Sequence, residues 1–293
     1  FMENTKKLKF SNLLIAILQG VILLLLFVIP ELIVGVIGGI VAQFVGFDGN
    51  FQDFYVKNGA AFLLCGQILR IIIFLLIIKF RTKIFQTKYN RDYLKKRKIS
   101  FSEVLKLFVV GIGLMGLINI TVALMMYLSK FFPQIVASLD VYNKASEELM
   151  KGNMMLSVLA ITIFAPISEE LMLRGTLFTE NERLLPYKWA IILNGIVFGV
   201  FHFNLFQGAY ALIGGIVICA VYYYTESIYA SILLHMINNT FSMVISSNEA
   251  VVQSFSSIFG IVMLVCMVLM FVFLKDFKKK RELRHLNYED LKE

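Results

Sequence analysis

Three short motifs place ionisable and amide side chains in otherwise apolar sequence. They read EELMLR at 169–174, FGVFH at 198–202 and HMINN at 235–239. The residues in them that can do chemistry are Glu169, Glu170, Arg174, His202, His235 and Asn239. A carboxylate can take a proton from water, an imidazole can help to hold that water, and a second imidazole and an amide N–H can stabilise an oxyanion. These residue types are therefore the set that hydrolysis by an activated water molecule needs.

Helical spacing separates the roles of the two adjacent glutamates. Glu170 and Arg174 are four residues apart and share a helix face, which predicts a buried ion pair. Glu169 is turned about 100° away from Glu170, so its carboxylate can point elsewhere. We therefore expect the pair to be structural and Glu169 to be left for chemistry. The same four-residue spacing joins the first and last positions of the other two motifs.

Each polar residue also has a structural interpretation when it is taken alone. An ion pair can simply anchor a helix, a histidine can be a packing residue, and an asparagine can join two helices. Ser168, beside the glutamates, is a further candidate nucleophile with an unusual activation scheme. Glu31 and Arg70 are expected to pair between the first two membrane spans with a structural role only. The occurrence of three motifs with one period favours a shared site.

The composition predicts an integral membrane protein of the all-α class. Hydrophobic residues make up 58% of the 293 residues, charged residues 16%, and the mean hydropathy is +0.77. A soluble domain would carry about 25% charged residues. A charged group at the centre of a membrane helix costs about 2.5–3.5 kcal/mol, so the charged groups of the motifs should face the interior of the helix bundle.

About eight transmembrane helices are predicted from apolar stretches of roughly 20 residues. The first should bend or tilt at Pro30, and residues 129–152 read as a polar loop. The stretch at 209–225 is the weakest and could begin as a re-entrant turn. The eight stretches are 12–46, 58–79, 102–128, the one from Met154 into the first motif, 188–205, 209–225, 228–246 and 254–274.

The net charge of +8 is concentrated in three places: before the first span, at 79–98 and after the last span. With an even number of spans these segments fall on one side of the membrane. Cytosolic segments of membrane proteins are enriched in Lys and Arg, so we expect both termini in the cytosol. This distribution excludes a nucleic-acid footprint. The three cysteines have no metal-binding spacing.

The three motifs, in this order, resemble those of the CPBP family, also called the Abi family. This family contains CAAX-prenyl-protease and bacteriocin-processing intramembrane endopeptidases. The resemblance implies an Rce1-like helical bundle in which Glu169 is the general base and His202 holds the attacking water. It further implies that His235 and Asn239 form the oxyanion hole, while Glu170 and Arg174 orient the site.

The resemblance also suggests a division of the chain into three parts. Residues 1–150 would supply the first three transmembrane helices, 151–275 the catalytic core, and 276–293 a basic cytosolic tail. No cofactor is required by the glutamate–water mechanism, with Arg174 as the countercharge that keeps Glu169 ionised. The alternative is a zinc site made by Glu169, His202 and His235, since two histidines and a carboxylate can leave one metal position open.

The expected partners are the lipid bilayer and a membrane-associated or lipid-modified peptide or protein substrate. A composition rich in Lys, Ile, Phe and Asn is typical of low-GC bacteria, which favours the bacterial cell membrane. A secreted peptide precursor, such as a pheromone or bacteriocin leader, or a regulatory membrane protein then fits better than a prenylated protein. No nucleic-acid partner is expected.

Two other functions remain open from the sequence. The chain could be a non-catalytic scaffold that restrains a partner membrane protein, such as a sensor kinase or a transporter. It could also be a transporter or proton relay, because intramembrane Glu and His serve transport as well. No inverted repeat is visible in the sequence, which weighs against transport.

Overall fold

The computed structural model describes residues 7–44, 51–89, 92–247 and 256–290. Within these ranges nearly all residues are helical, and the extended residues make only an isolated bridge between Lys96 and Ser227. Seven of the described helices are long and apolar enough to cross a membrane. The predicted all-α, polytopic membrane architecture is confirmed. Positions 45–46, 254–255 and 291–293, which belong to predicted spans and to the predicted tail, lie outside the described residues.

The helices are numbered here in chain order. They are α1 (Phe10–Phe44), α2 (Phe51–Tyr89), α3 (Phe101–Leu128), α4 (Pro133–Lys151), α5 (Met154–Leu184), α6 (Tyr187–Val200), α7 (Leu205–Thr225), α8 (Ile228–Ser247) and α9 (Ser256–Asp290). Helix α9 continues well past the predicted end of the last span, so the described part of the basic tail is helical. Helices α5 and α7 are the most enclosed, whereas α1 and α9 leave most of their apolar surface outward. The centre of the bundle therefore lies around α5.

Several chain segments meet at one end of the bundle, called here the basic end. Asn12, at the start of α1, donates to the backbone carbonyl of Leu184 at the end of α5, with an N···O distance of 2.9 Å. Lys95, in the segment between α2 and α3, pairs with Glu182 of α5 at 2.7 Å. The start of the first membrane helix and the basic segment after the second are thus on the same side, as the charge distribution predicts. Which side faces the cytosol remains a prediction.

Glu226 joins the last helix to the basic end. It follows α7 in the left-handed region, with φ of 54°, and its carboxylate lies 3.1 Å from Arg284 and 2.9 Å from His285 of α9. Arg281 Nε lies 3.5 Å from the same carboxylate. Burial raises the pKa of Glu226, but the hydrogen bond from His285 and the nearby cations outweigh it, so the pKa lies below its ordinary value.

Helix α4 corrects the prediction of a polar loop at 129–152. Pro133 occupies the first turn, where the missing N–H breaks no intrahelical bond. Ile135, Leu139 and Tyr142 follow a helical period and pack on the bundle, while the opposite face is polar and exposed. The polar composition concealed this amphipathic pattern, because a helix that lies along one side of a bundle needs only a narrow apolar face.

Helix α6 is shorter than the span predicted at 188–205. It has 14 residues and is therefore about 21 Å long, less than the ~30 Å hydrocarbon core. It ends in a turn at 201–204, and the side-chain oxygen of Asn204 then caps α7 by accepting from the Gln207 N–H at 2.8 Å. Helix α7 is a full 21-residue helix, so the re-entrant turn considered at 209–225 is wrong.

The turn after α6 is supported by α4. Asn204 donates to the backbone carbonyl of Ser138 at 2.8 Å, and the Phe206 N–H donates to the Ser138 hydroxyl at 3.0 Å. Non-helical backbone inside a membrane protein needs such partners, because lipid offers none. Helix α4 thereby fixes the point at which the chain reverses between α6 and α7.

Glycines allow α6 and α7 to pack closely. A Cβ atom at Gly199 would lie only 2.7 Å from the carbonyl oxygen of Gly208, and one at Gly215 would lie 2.8 Å from the Phe198 ring. Small residues at such crossings let two backbones approach in the membrane. The close packing places the end of α6 against the first half of α7.

Candidate active site

Helix α5 carries both glutamates in a short α-helical stretch between two wider turns. Residues Ala165–Met172 are α-helical, whereas Ala160–Phe164 and Leu173–Phe178 are π-helical. A π turn inserts one extra residue and rotates the side chains that follow, and such turns are frequent at functional sites. The two turns therefore set the direction in which Glu169 and Glu170 point.

Asn239 of α8 hydrogen-bonds to a backbone carbonyl in the first π turn. The Ala165 N–H donates to the carbonyl of Ala160, so the next bond of the same type would run from position 166 to Ile161. Position 166 is proline, which has no N–H. The Asn239 side chain of α8 donates to that carbonyl instead, with an N···O distance of 3.0 Å. The second hydrogen of this amide is left for another acceptor.

The second π turn is stabilised by threonine hydroxyls. Thr176 donates to the carbonyl of Leu171 at 3.1 Å, and Thr179 donates to the carbonyl of Arg174 at 2.8 Å. Both bonds span five residues, so the hydroxyls serve carbonyls that a wide turn leaves without an α-helical partner. The two threonines therefore stabilise the π turn that follows the glutamates in the chain.

Glu170 and Arg174 form the predicted ion pair, and both side chains are fully buried. The N···O distance is 2.6 Å, and the guanidinium also donates to the backbone carbonyl of Gly215 at 2.8 Å. A buried charge is tolerated when it is paired and hydrogen-bonded. Arg174 therefore fixes α5 against α7.

His235 lies between the two glutamates. Its Nδ1 atom is 2.9 Å from Oε1 of Glu170, and its Nε2 atom is 3.6 Å from Oε2 of Glu169. The Glu170 carboxylate can only accept, so Nδ1 carries the hydrogen. Nε2 then faces the Glu169 carboxylate, whose side chain is 12% exposed. One imidazole thus links the buried ion pair to the more accessible carboxylate.

His202 follows the end of α6. Its Nδ1 atom lies 2.9 Å from the carbonyl oxygen of Phe198, which can only accept. The neutral ring therefore has its hydrogen on Nδ1 and an acceptor lone pair on Nε2. His202 also interacts electrostatically with Glu169 and His235. Its free nitrogen is of the type that can hold a water molecule through one of the water hydrogens.

Phe198 connects these groups. Its ring lies edge-on to the rings of His202 and His235, with centroid distances of 4.9 and 5.5 Å. The Arg174 guanidinium lies 5.4 Å from the same ring centroid. The sequence indicated Phe198 only as a helical neighbour of His202, and its contact with His235 required knowledge of how α6 meets α8.

Residues 151–241 match the family model described as type II CAAX prenyl endopeptidase Rce1-like. This segment is an Rce1-like domain. The predicted resemblance to the CPBP family is therefore confirmed over these residues. Comparisons with curated proteins and with solved structures gave no match.

The Rce1-like domain contains all six residues singled out in the sequence, and the structure brings most of them into direct contact. Glu170, Arg174 and His235 form one hydrogen-bonded array, with Glu169 beside it. His202 interacts electrostatically with Glu169 and His235. Asn239 lies one helical turn beyond His235 on α8, and its described contact is with the carbonyl of Ile161 on α5. Their catalytic roles remain predictions, and so does the domain boundary at 275.

Of two expectations about the Rce1-like domain, one is wrong and the other stays a prediction. The role of Arg174 as the countercharge of Glu169 stays a prediction, since the hydrogen bonds of Arg174 go to Glu170 and to the Gly215 carbonyl. Ser168 is not placed as a nucleophile. Its buried hydroxyl lies within hydrogen-bond distance of the Gln67 side-chain oxygen on α2 and of the carbonyl oxygen of Ala165, and its one hydrogen can go to either acceptor. Sequence spacing predicted the pair of Glu170 with Arg174, but it could not reveal the contacts of Arg174 with Gly215 or of Ser168 with Gln67, because those join different helices.

A zinc site was the alternative for Glu169, His202 and His235. Across the described parts of the chain, no group of three or more His, Cys, Asp and Glu side chains is arranged to hold a metal ion. The residues therefore do not fit the proposed metal in this arrangement, and no step is assigned to one.

Proposed function

We propose that this protein is an intramembrane endopeptidase that cleaves a peptide bond with a water molecule activated by Glu169. The observation that carries the proposal is the position of His235, which touches the buried pair through Nδ1 and faces Glu169 through Nε2. The match of the surrounding segment to a prenyl endopeptidase family supports the same reaction class.

Glu169 and His202 would activate the water. The lone pair on His202 Nε2 accepts one water hydrogen, and the Glu169 carboxylate accepts the other as the water oxygen attacks the carbonyl carbon of the substrate. The water O–H bond breaks, the proton moves to Glu169, and the new C–O bond places a negative charge on the former carbonyl oxygen. A positioned general base contributes about 10²–10⁴-fold to such a step.

His235 and Asn239 would stabilise the negative oxygen. Because Nδ1 of His235 already donates to Glu170, its Nε2 can donate to an oxyanion only when the ring is an imidazolium. The free amide hydrogen of Asn239 would supply a second donor.

The tetrahedral intermediate would then collapse with the same residues. The carbonyl forms again, the C–N bond breaks, and the proton held by Glu169 moves to the departing amine nitrogen. The products are a carboxylic acid and an amine, and the enzyme returns to its starting protonation state. No covalent bond to the protein forms at any stage.

The substrate class follows from where the site lies. Glu169 is near the middle of a 31-residue apolar helix, so a scissile bond must reach it within the bilayer. We propose a membrane-associated or lipid-modified peptide or membrane protein that approaches from the cytosol or laterally. The protein would reside in a bacterial cell membrane with both termini in the cytosol.

A comparison of peptidomes and membrane proteomes tests the proposal. Cells with the wild-type chain, with Glu169→Gln and with the matched control Glu148→Gln on the exposed face of α4 would be compared. We expect a cleavage product that is present with the wild type and the control and absent with Glu169→Gln. A scaffold would retain its cellular phenotype with all three, and a transporter would instead lose flux in liposomes.

A further inference from the structure

Phe203 follows His202 directly and has an unusual backbone conformation. It lies in the left-handed region, with φ of 48°, and among the described residues Glu226 is the one other non-glycine residue with a positive φ. A bulky side chain disfavours this conformation, whereas glycine adopts it freely. Residues held in such a conformation cluster at functional sites, where the surrounding structure imposes it.

Hydrogen bonds on both sides of Phe203 fix the turn. Its own N–H donates to the carbonyl of Val200 at 3.0 Å. The next residue, Asn204, donates to the carbonyl of Ser138 on α4 at 2.8 Å, and its side-chain oxygen accepts from the Gln207 N–H of α7. The backbone conformation at position 203 is therefore set by α4, α6 and α7 together.

The fold requires the turn at Phe203 but not the phenyl ring. Phe203 is 71% exposed. The other three phenylalanines around the turn are buried and each packs against another ring: Phe198, Phe201 and Phe206. In the part of the chain that the structure describes, Phe203 has no ring contact of this kind. Glycine would form the same turn without strain, so the ring needs an explanation outside the fold.

The turn also presents apolar surface at the depth of the lipid tails. Helix α6 begins next to the basic end and is about 21 Å long, so the turn after it lies short of the far side of the ~30 Å hydrocarbon core. Val200 and Leu205, on either side of the turn, are 55% and 56% exposed. Val200, Phe203 and Leu205 are called here the turn surface. A substrate that approaches His202 laterally from the bilayer meets this surface.

Contact with lipid alone does not explain Phe203. Phe271 of α9 is 54% exposed and belongs to a regular helix, so an outward phenylalanine needs no unusual backbone. A tight turn alone would favour glycine. At position 203 an exposed ring and a disfavoured conformation occur together, on the residue that follows His202. A contact between the ring and a bound substrate accounts for both features.

We propose that Phe203 is a substrate-binding residue whose ring packs against an apolar group of the substrate next to the scissile bond. The inference rests on the proposed function of the site. The fixed turn holds the ring beside His202, so an apolar group bound there brings the neighbouring peptide bond to the water that His202 holds. A phenyl ring offers no hydrogen bond, and burial of apolar surface is favourable, so the contact selects apolar over polar groups. The group is a side chain of the substrate or an acyl chain attached to it.

Photolabelling tests this contact without cleavage. The probe is a short peptide of leucine and alanine with an N-hexadecanoyl anchor and a central photo-leucine, a leucine analogue whose side chain contains a diazirine. A second probe has the diazirine in the acyl chain instead. Light expels N₂ from the diazirine, and the resulting carbene inserts into a nearby C–H bond. The full-length Glu169→Gln protein in nanodiscs would be labelled, and fragment mass spectrometry would locate the label.

The turn surface should be labelled more strongly than the outward surface of α9 around Phe271. With Phe203→Gly added, labelling of the turn surface should fall about tenfold, because the free energy of burying a large apolar side chain corresponds to at least that factor. Phe203→Leu, which keeps an apolar side chain, should be labelled like the parent protein. Phe271→Ala is the matched control and should leave labelling of the turn surface unchanged.

The same variants separate substrate binding from a structural role. Because glycine adopts a positive φ without strain and the ring is mostly exposed, Phe203→Gly should unfold at the temperature of the parent protein or above it. A packing residue would instead lose stability on this change. Thermal unfolding in nanodiscs compares Phe203→Gly, Phe203→Leu and Phe271→Ala.

Every outcome decides the proposal. Labelling of the turn surface that falls with a stable Phe203→Gly protein supports it, and the probe that shows the fall identifies the group as a side chain or an acyl chain. Labelling no stronger than around Phe271, labelling unchanged by Phe203→Gly, or a marked loss of stability in Phe203→Gly overturns it. Photolabelling needs no proteolysis, so failure of this contact is distinguishable from failure of the proposed endopeptidase activity, which the Glu169→Gln peptidome tests.

Discussion

The two nitrogens of His235 face two neighbouring glutamates, Nδ1 at 2.9 Å from Glu170 and Nε2 at 3.6 Å from Glu169. The first contact fixes the ring, because the Glu170 carboxylate is itself held by Arg174 at 2.6 Å. The second contact directs Nε2 toward the more exposed carboxylate. Arg174, Glu170 and His235 therefore form one hydrogen-bonded array. The carboxylate of Glu169 lies outside this array and is the one we propose to react.

Replacing His235 should impair turnover more than substrate binding. In His235→Gln the proposed Nε2 donor is lost, and the loss of one oxyanion donor typically lowers kcat by about 10²–10³-fold. KM should change little if the donor acts mainly in the transition state. Steady-state cleavage of the substrate found by peptidome comparison measures both constants. His285→Gln on the exposed part of α9 is the control, and an equal loss there would argue against a specific role for His235.

Removing Arg174 should destabilise the fold strongly. Arg174→Ala removes the arginine from a fully buried ion pair and leaves Glu170 with only the hydrogen bond from His235, and breaking a buried pair typically costs about 3–5 kcal/mol. Arg183→Ala, on the same helix, breaks a pair with Glu180 in which the Arg183 side chain is 33% exposed, and should cost no more than about 1 kcal/mol. Unfolding in detergent with increasing denaturant compares the two. Equal losses would contradict the assignment of Arg174 to a buried pair.

Adding a methyl group at Gly199 should disturb the end of α6. The new Cβ would meet the Gly208 carbonyl at 2.7 Å, and overpacking of this kind costs about 1–3 kcal/mol. Because His202 follows this turn of the helix, cleavage activity should fall together with stability. Gly214→Ala is the matched control: a Cβ there meets nothing within 4 Å, so stability should be unchanged or slightly higher. Thermal unfolding and activity of both variants test the close packing.

Glu226 should make part of the stability depend on pH. Its pKa is lowered in the folded protein, so its contribution is complete above its ordinary value of 4.5 and is lost as the pH falls through the lower folded value. Glu226→Gln should therefore be less stable than the wild type at pH 7, by roughly 1–2 kcal/mol. The difference should shrink below pH 4.5. Thermal unfolding between pH 7 and pH 3.5 would show a constant difference if Glu226 did not titrate with folding.

Local spacing predicted the parts of the site that lie on one helix. The pairing of Glu170 with Arg174, and the separate direction of Glu169, follow from the period of an α-helix. The Glu31–Arg70 pair could be predicted too, because charged residues in membrane helices pair with one another. The hydrogen bonds that Gln67 makes with Arg70 and with Ser168 could not be predicted, since Gln67 and Ser168 are 101 positions apart in the chain.

Contacts between helices and changes of helix type were not accessible from spacing. The bond between His235 and Glu170 joins residues 65 positions apart. A π turn differs from an α-helical turn by one additional residue, which residue spacing does not reveal. For the first π turn the sequence does contain a signal: Pro166, which has no N–H, together with an asparagine on another helix that can donate in its place. Helix α4 had its own signals, with Pro133 at its first position and Gly152 at its end. Its polar composition favoured a loop.

The most direct test of the central claim is cleavage of the identified substrate by the purified protein in liposomes. If Glu169 activates the water, Glu169→Gln should lower the rate by at least about 100-fold. Glu148→Gln should cleave at the wild-type rate, and both variants should unfold at the wild-type temperature. A folded Glu169→Gln protein that cleaves as fast as the wild type would contradict the account.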